Sequence, residues 1–356
     1  MPDWTTLWGM MVVSKKYSET AGATAMNAKP LGSGPFCLAS WDQGSKITLE
    51  RNPHFWLKDS IGNTLPYLDK VEWSVVPDAN NRVLKLQAGE VDIAEDIPAN
   101  QVDALKGVAG IEVKTTPLMG TGTVLLNMNK FSDPKVRQAV NYAVDKDALI
   151  QIVLAGLGTP AYSFLSQGKY NTDAYGYHFN LDKAKELMSQ SSTPTGFDVE
   201  YLSKAGDPVA AQIGVVLKDQ LAKIGLNLKL TELEGGAYSE RRGSGKFEMV
   251  YKLGTLDIFD SSENLNFDVN TAGFTGWQKV DPNAPAVWAL AQKAAANPNE
   301  TERAQQFDEL QKLYMAAPPM LPLFNPLNAW ATSDKIKGYG FLPTGTRPFD
   351  LTYLQP

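Results

Sequence analysis

Two carboxylates three positions apart, Asp257 and Asp260 in the stretch GTLDIFDSSENLNF, are the residues whose types and spacing could do chemistry. They sit where an extended segment, 247–253, gives way to a polar loop. Paired carboxylates can divide general acid and general base work. A loop carboxylate can instead receive a ligand ammonium group through a charge-assisted hydrogen bond. Turn formation or helix capping is the third use of an aspartate in such a place. No nucleophile, histidine or metal-ligand set accompanies the pair, so the three readings stay open on the residues alone.

Other reactive side chains are sparse. Cys37 is the single cysteine, which excludes an internal disulfide and a thiolate metal site, and its setting PFCLASW alternates as a strand with a small buried hydrophobe would. The two histidines, His54 and His178, have no neighbouring acids or cysteines at ligand spacing, so a transition-metal site has weak support. Gly32-Ser33-Gly34-Pro35 lacks the lysine and glycine spacing of a phosphate loop and reads as a tight turn, so no nucleotide cofactor is expected.

The elements that must position the acids follow from periodicity. LLNMN (125–129) runs apolar as a strand does, and Ser132-Asp133-Pro134 supplies a capping residue and an early helical proline. Val136, Ala139, Val140 and Ala143 fall at helical spacing, Asp145 can cap a second helix reaching Leu154, and Gly156 offers a stop. Helices are predicted over 180–190, 208–224, 286–296 and 301–315. Strands over 198–202, 227–234 and 247–253 alternate with them in part, the succession of an α/β lobe. Upstream, strands are predicted at 36–41, 46–51 and 70–76, and Phe55, Trp56 and Tyr67 are read as pins for the long loop between the last two. The opening, 1–30, reads as an apolar segment followed by a polar helix or loop, with a small, mobile tail at 22–27. Phe274-Thr275-Gly276-Trp277 reads as an exposed turn. Pro318 to Phe324 is expected to be a rigid crossover into a short strand at 327–331, because each proline removes a ladder donor.

A length of 356 residues exceeds what one core usually serves and points to two lobes. With 33 basic and 39 acidic residues and a net charge of -6, the chain offers no concentrated basic surface for nucleic acid. No apolar run approaches the roughly 18 to 20 residues of a bilayer span. The first residues lack a basic leader and a cleavage site, so they are not read as a signal peptide. The protein is then either cytoplasmic or exported by a signal outside this sequence.

Several separated patterns, taken together, resemble the family 5 solute-binding proteins of ABC transporters, the oligopeptide, dipeptide and nickel-binding group. They are GSGPFCLASW, LERNPHFW, LPYLDKVEW, LKLQAGEVDIA, SDPKVRQAVNYAVDKDALI, the Asp257 loop, the Gly276-Trp277 turn and the proline-rich MLPLF segment. The resemblance implies an α/β fold of the type II periplasmic-binding-protein class, two lobes with mixed sheets that close around a solute, and an ABC permease as partner. It implies a location in the periplasm or on the extracellular face if the full-length form is exported. It places 1–130 in the first lobe, 131–325 in the second and 326–356 in a return to the first, and it implies that the first lobe is incomplete at its amino-terminal side. Asp257 matches the aspartate that holds a peptide's free amino group. Asn129, Trp277 and Trp330 match positions at the ligand side. Gly254 stands where an aromatic residue is usual, and Asp260-Ser261 where Asp-Pro is common, so part of the ligand pocket is expected to be widened or emptied at Gly254. The implied function is capture of peptides or related amine-bearing solutes, without catalysis. The alternatives are a ligand-incompetent interaction lobe and a hydrolase built on Asp257 and Asp260.

Overall fold

The computed structural model describes residues 13–166, 168–258, 260–269 and 275–355. The apolar opening before residue 13 and Phe274 of the expected turn lie outside the described residues. The described residues divide into two compact units, one within 117–327 and the other formed by 13–116 together with 328–355.

The discontinuous unit begins with helix α1 (Lys15–Ala28), capped by Ser14 and kinked at Gly22. The small residues expected to form a mobile tail are therefore helical, consistent with the high helix propensity of alanine. Strands β1 (Phe36–Asp42), β2 (Lys46–Arg51) and β3 (Lys70–Ser74) form an antiparallel meander. Helix α2 (Ala79–Gln87) is capped by the Asp78 carboxylate. β4 (Ile93–Ala94), α3 (Ala99–Lys106) and β5 (Ile111–Pro117) follow. Tyr67 does act as a pin, donating to Asp59 at 2.5 Å and meeting Tyr353 edge-on. Trp56 does not: it is 75% exposed.

The continuous unit is built on a mixed sheet. Its strands are β6 (Gly120–Leu126), β7 (Gly158–Pro160), β8 (Phe197–Lys204), β9 (Leu226–Leu233), β10 (Met249–Thr255) and the first part of β11 (Met320–Ser333). The order is β11-β6-β10-β8-β9, antiparallel through β10 and parallel between β10, β8 and β9, with β7 also paired to β11. Helices α4 (Pro134–Ala143) and α5 (Lys146–Leu154) begin at Asp133 and Asp145, whose carboxylates accept from the amides of Lys135 and Ala148 as the capping argument requires. Helix α6 (Leu181–Ser189) is capped by Asn180, α7 (Pro208–Ala222) by Asp207, and α8 (Gly235–Gly243) precedes β10. Two further helices, Ala284–Ala296 and Glu300–Met315, complete the layer.

Two sequence expectations fail here. The strand predicted at LLNMN ends at Leu126, because Asn127 turns the chain, its Oδ1 accepting from the Asn129 amide and its Nδ2 donating to the Gly245 carbonyl. The proline-rich segment is a strand after all, continuous from Met320 to Ser333. Its prolines serve as acceptors: the carbonyls of Pro319 and Pro326 take the amides of Leu126 and Leu118. A register shift between Pro322 and Phe324 absorbs the missing donor. At the far end β11 enters the discontinuous unit, where Ala331 and Thr332 pair with β4, and β12 (Ile336–Lys337) pairs with β13 (Tyr353–Leu354).

Candidate functional site

Asp257 lies two residues beyond β10, in a loop held at both ends. On the near side the buried Glu263 carboxylate reaches back and accepts the amides of Asp257 and Ile258, at 2.9 and 3.0 Å. Burial raises the Glu263 pKa above its ordinary value, against the pull of those two amides. On the far side Asp260 accepts a bidentate pair from Arg303, at 2.8 and 2.6 Å, and the Ser262 amide at 2.8 Å. Burial alone would raise the Asp260 pKa, but the hydrogen bonds and charge of Arg303, with Ser262, outweigh it and hold the carboxyl at about 2. The Arg303 guanidinium is itself seated over the rings of Tyr170 and Phe307, which stack on one another.

The two acids therefore differ in kind. Asp260 is fully engaged in fastening the loop to the helix Glu300–Met315. Asp257 is half-buried, and among the described residues its carboxylate has no hydrogen-bonding or ion-pair partner. A carboxylate on a fastened backbone with its oxygens unspent can accept from an incoming ammonium group without first breaking a protein contact.

The other positions singled out from sequence scatter. Gly254 is on β10, paired with Thr121 of β6. Its side is not empty: a β-carbon there would meet Lys252 Cε at 3.3 Å and Nζ at 3.6 Å. Asn129 is exposed, in the turn that follows β6. Trp277 opens a short helix and is buried against Tyr314, ring centroids 5.1 Å apart, not in an exposed turn. Trp330 belongs to the discontinuous unit, buried there with its indole donating to Thr116 and its ring against Tyr339.

Sequence reasoning missed a set of polar residues on the β10 face that carries Gly254. Lys252 and Thr123 lie opposite one another, as do Gly254 and Thr121, so all four positions share one face of the β6–β10 pair. Above them the Lys252 ammonium meets Asp268 at 2.5 Å. Asn264 donates to Asp268 and to Ser166, whose hydroxyl meets that of Thr121, which in turn reaches Asn325. All but Lys252 are buried. The residues span more than half the chain, and nothing local in the sequence connects them.

Comparison with known proteins finds a family that the chain matches. Residues 3–276 match the model described as bacterial extracellular solute-binding proteins, family 5 Middle. The chain is 26% identical over 327 residues to the probable D,D-dipeptide-binding periplasmic protein DdpA of Escherichia coli K12, covering 90% of this chain and 62% of that one. It is 26% identical over 339 residues to the glutathione-binding protein GsiB of Salmonella choleraesuis, covering 90% and 64%. The chain thus spans less than two thirds of the length of these curated relatives. Among solved structures, the periplasmic binding protein DppA of Helicobacter pylori in complex with the peptide STSA matches at 27% identity and a TM-score of 0.76, over 97% of this chain and 68% of that one. A putative peptide-binding protein AppA of Clostridium difficile shares the fold at 19% identity and a TM-score of 0.82, over 96% and 71%.

Proposed function

Because the chain belongs to the bacterial extracellular solute-binding proteins of family 5, we propose that it captures peptides or related amine-bearing solutes outside the cytoplasm for an ABC permease, with Asp257 as the acceptor of the solute's ammonium group. The observation that carries this reading is the division of labour in the loop. Glu263, Asp260 and Arg303 fix the backbone, and among the described residues of the loop the one carboxylate without a hydrogen-bonding or ion-pair partner is that of Asp257. Ligands of the relatives, a D,D-dipeptide and glutathione by name and a peptide in the Helicobacter complex, support the same chemical class.

A hydrolytic role for the two aspartates meets a specific obstacle. A general acid must exchange its proton near the working pH, and Asp260, bidentate to Arg303 and held at about 2, stays ionised and occupied.

Titration calorimetry with peptides carrying a free or an acetylated amine tests the assignment. The protein is expected to prefer the free amine, and Asp257→Ala and Asp257→Asn to lose about 10- to 100-fold of that preference, the range for a hydrogen bond to a charged group. An unchanged preference in both variants removes Asp257 from the role.

A further inference from the structure

Two anions meet in the Asp257 loop, and one of them is buried. The Glu263 carboxylate accepts the amides of both Asp257 and Ile258 through a single oxygen, Oε2, at 2.9 and 3.0 Å. The group that steadies this backbone therefore sits beside the residue whose carboxylate is read as the ammonium acceptor. Glu263 is 7% exposed. The other charges about it are engaged elsewhere. Asp260 on the same loop is held by Arg303 of the helix Glu300–Met315, Asp268 of the following segment meets Lys252, and Lys293 of the packed helix Ala284–Ala296 is exposed. Among the described residues no cation pairs with Glu263. Burial is the main cause that lifts its pKa above the ordinary value; the two amides oppose the rise and the charge of Asp257 adds to it.

We infer that Glu263 is the positioning residue of the capture loop and couples it to protons: an amine-bearing solute settling on Asp257 expels a proton from Glu263 to solvent in mildly acid solution, and acidification in turn loosens the solute. This rests on the Asp257 reading and adds a regulation of the same site. An ammonium group on Asp257 cancels the like charge that Glu263 feels, so the ionised form of Glu263 is easier to keep in the complex than in the free protein. A group that holds its proton more tightly before binding than after makes affinity fall as pH falls through its titration, and the reverse effect on the proton is equal in size. Protonation works on the loop as well, because a neutral carboxyl accepts the Asp257 and Ile258 amides less strongly than a carboxylate does.

The test titrates trialanine, with a free or an acetylated amine, into the intact protein between about pH 7 and about pH 5, in buffers of unlike ionisation enthalpy so that protons released on binding are counted. The free-amine peptide is expected to release protons towards the acid end and to lose about three- to tenfold in affinity there, the factor that displacing the Glu263 titration by up to about one pH unit produces. Glu263→Gln keeps an oxygen for the two amides and removes the titration, with its urea transition as the folding control. It should bind at neutral pH as weakly as the unmodified protein does in acid, with a flatter profile. Any titration of Asp257 itself remains in that variant, so the difference between the two profiles belongs to Glu263. Should the variant not fold, the carboxyl 13C resonances of glutamate-labelled protein read the same event: one should titrate at lower pH with peptide bound, and none moving overturns the inference. Profiles that coincide in the unmodified protein and in folded Glu263→Gln overturn it too, and leave Asp257 in place while the free amine is still preferred. Equal binding of free and acetylated amines, or no binding of either, overturns the Asp257 reading and this one with it.

Discussion

The two units of the chain solve the same problem with unequal means. In the continuous unit one apolar cluster runs from Val124 to Phe324, joining β6, β8, β9 and β10 to the helices that cover them. In the discontinuous unit α1 has no buried residue, β1 has none, and β3 buries Val71 alone. Trp41, Trp56 and Ile61 there remain 48, 75 and 83% exposed. Hydrophobic stabilisation scales with apolar area removed from water, so the loop with Asp257 and the pair Lys252–Asp268 are mounted on the better-supported of the two.

A pair of truncations puts that contrast at most risk. Phe307 is fully buried, stacked on Tyr170 at 4.5 Å and beneath Arg303. Phe307→Ala is expected to cost about 3–5 kcal/mol, the range for a buried aromatic replaced by a cavity. Trp41→Ala, at a half-exposed position of β1, should cost below about 1 kcal/mol. Urea unfolding followed by tryptophan fluorescence and circular dichroism reads both. Similar losses at the two sites would mean that the units share one cooperative stability and that the contrast in burial carries no energetic weight.

Next in size is the fastening of the loop. Arg303→Ala leaves Asp260 largely buried without its partner, and breaking such a pair costs about 3–5 kcal/mol, here toward the lower end because both side chains keep some exposure. The pH dependence has a definite sign. A carboxyl held at about 2 in the folded chain, against an ordinary 3.8, contributes stability that is complete above about pH 4 and is lost as pH falls towards 2. In Arg303→Ala that acid limb should begin at higher pH. An acid limb that does not move would show that Arg303 does not hold the Asp260 charge.

How much of this was legible beforehand depended on whether the cause was local. Asp133, Pro134 and Asp145 announced two helices because capping is a matter of three or four consecutive residues. The 3.6-residue spacing gave the longer helices of the continuous unit to within a few positions, but not α8 or the short helix at Trp277. β11 was misread since its prolines are accommodated by acceptors on β6 and by a register shift, neither visible in MLPLFNP itself. Trp277 was misplaced for a related reason: a Gly-Trp turn looks exposed until Tyr314, some 37 positions later, closes over it. The resemblance singled out Asp257, but the residues alone could not distinguish it from Asp260, because what separates them physically is Arg303, supplied by a helix more than forty residues away.

The smallest expected effect belongs to a buried lysine in the continuous unit, and it sharpens the contrast by giving that unit a pH signature of its own. Lys146 opens α5 with its side chain buried, donating to the Ala161 carbonyl at 2.7 Å and lying over the Tyr162 ring. Burial drives the ammonium from its ordinary 10.5 down to about 7, offset in part by the charge of Asp173. Between those values the unfolded chain holds a proton that the folded chain has released, so unfolding is favoured by protonation and stability rises with pH. The cost of the buried charge is full below about pH 7 and fades towards pH 10. From pH 7 to pH 9 the urea transition of the continuous unit should gain about 2 kcal/mol, reckoned at 1.36 kcal/mol per pH unit per proton. Lys146→Met, which keeps the length of the stem and removes the titrating group, should flatten that rise. A slope that persists in Lys146→Met would place its origin elsewhere, and a flat profile in the unmodified protein would mean that the amine stays charged in its pocket.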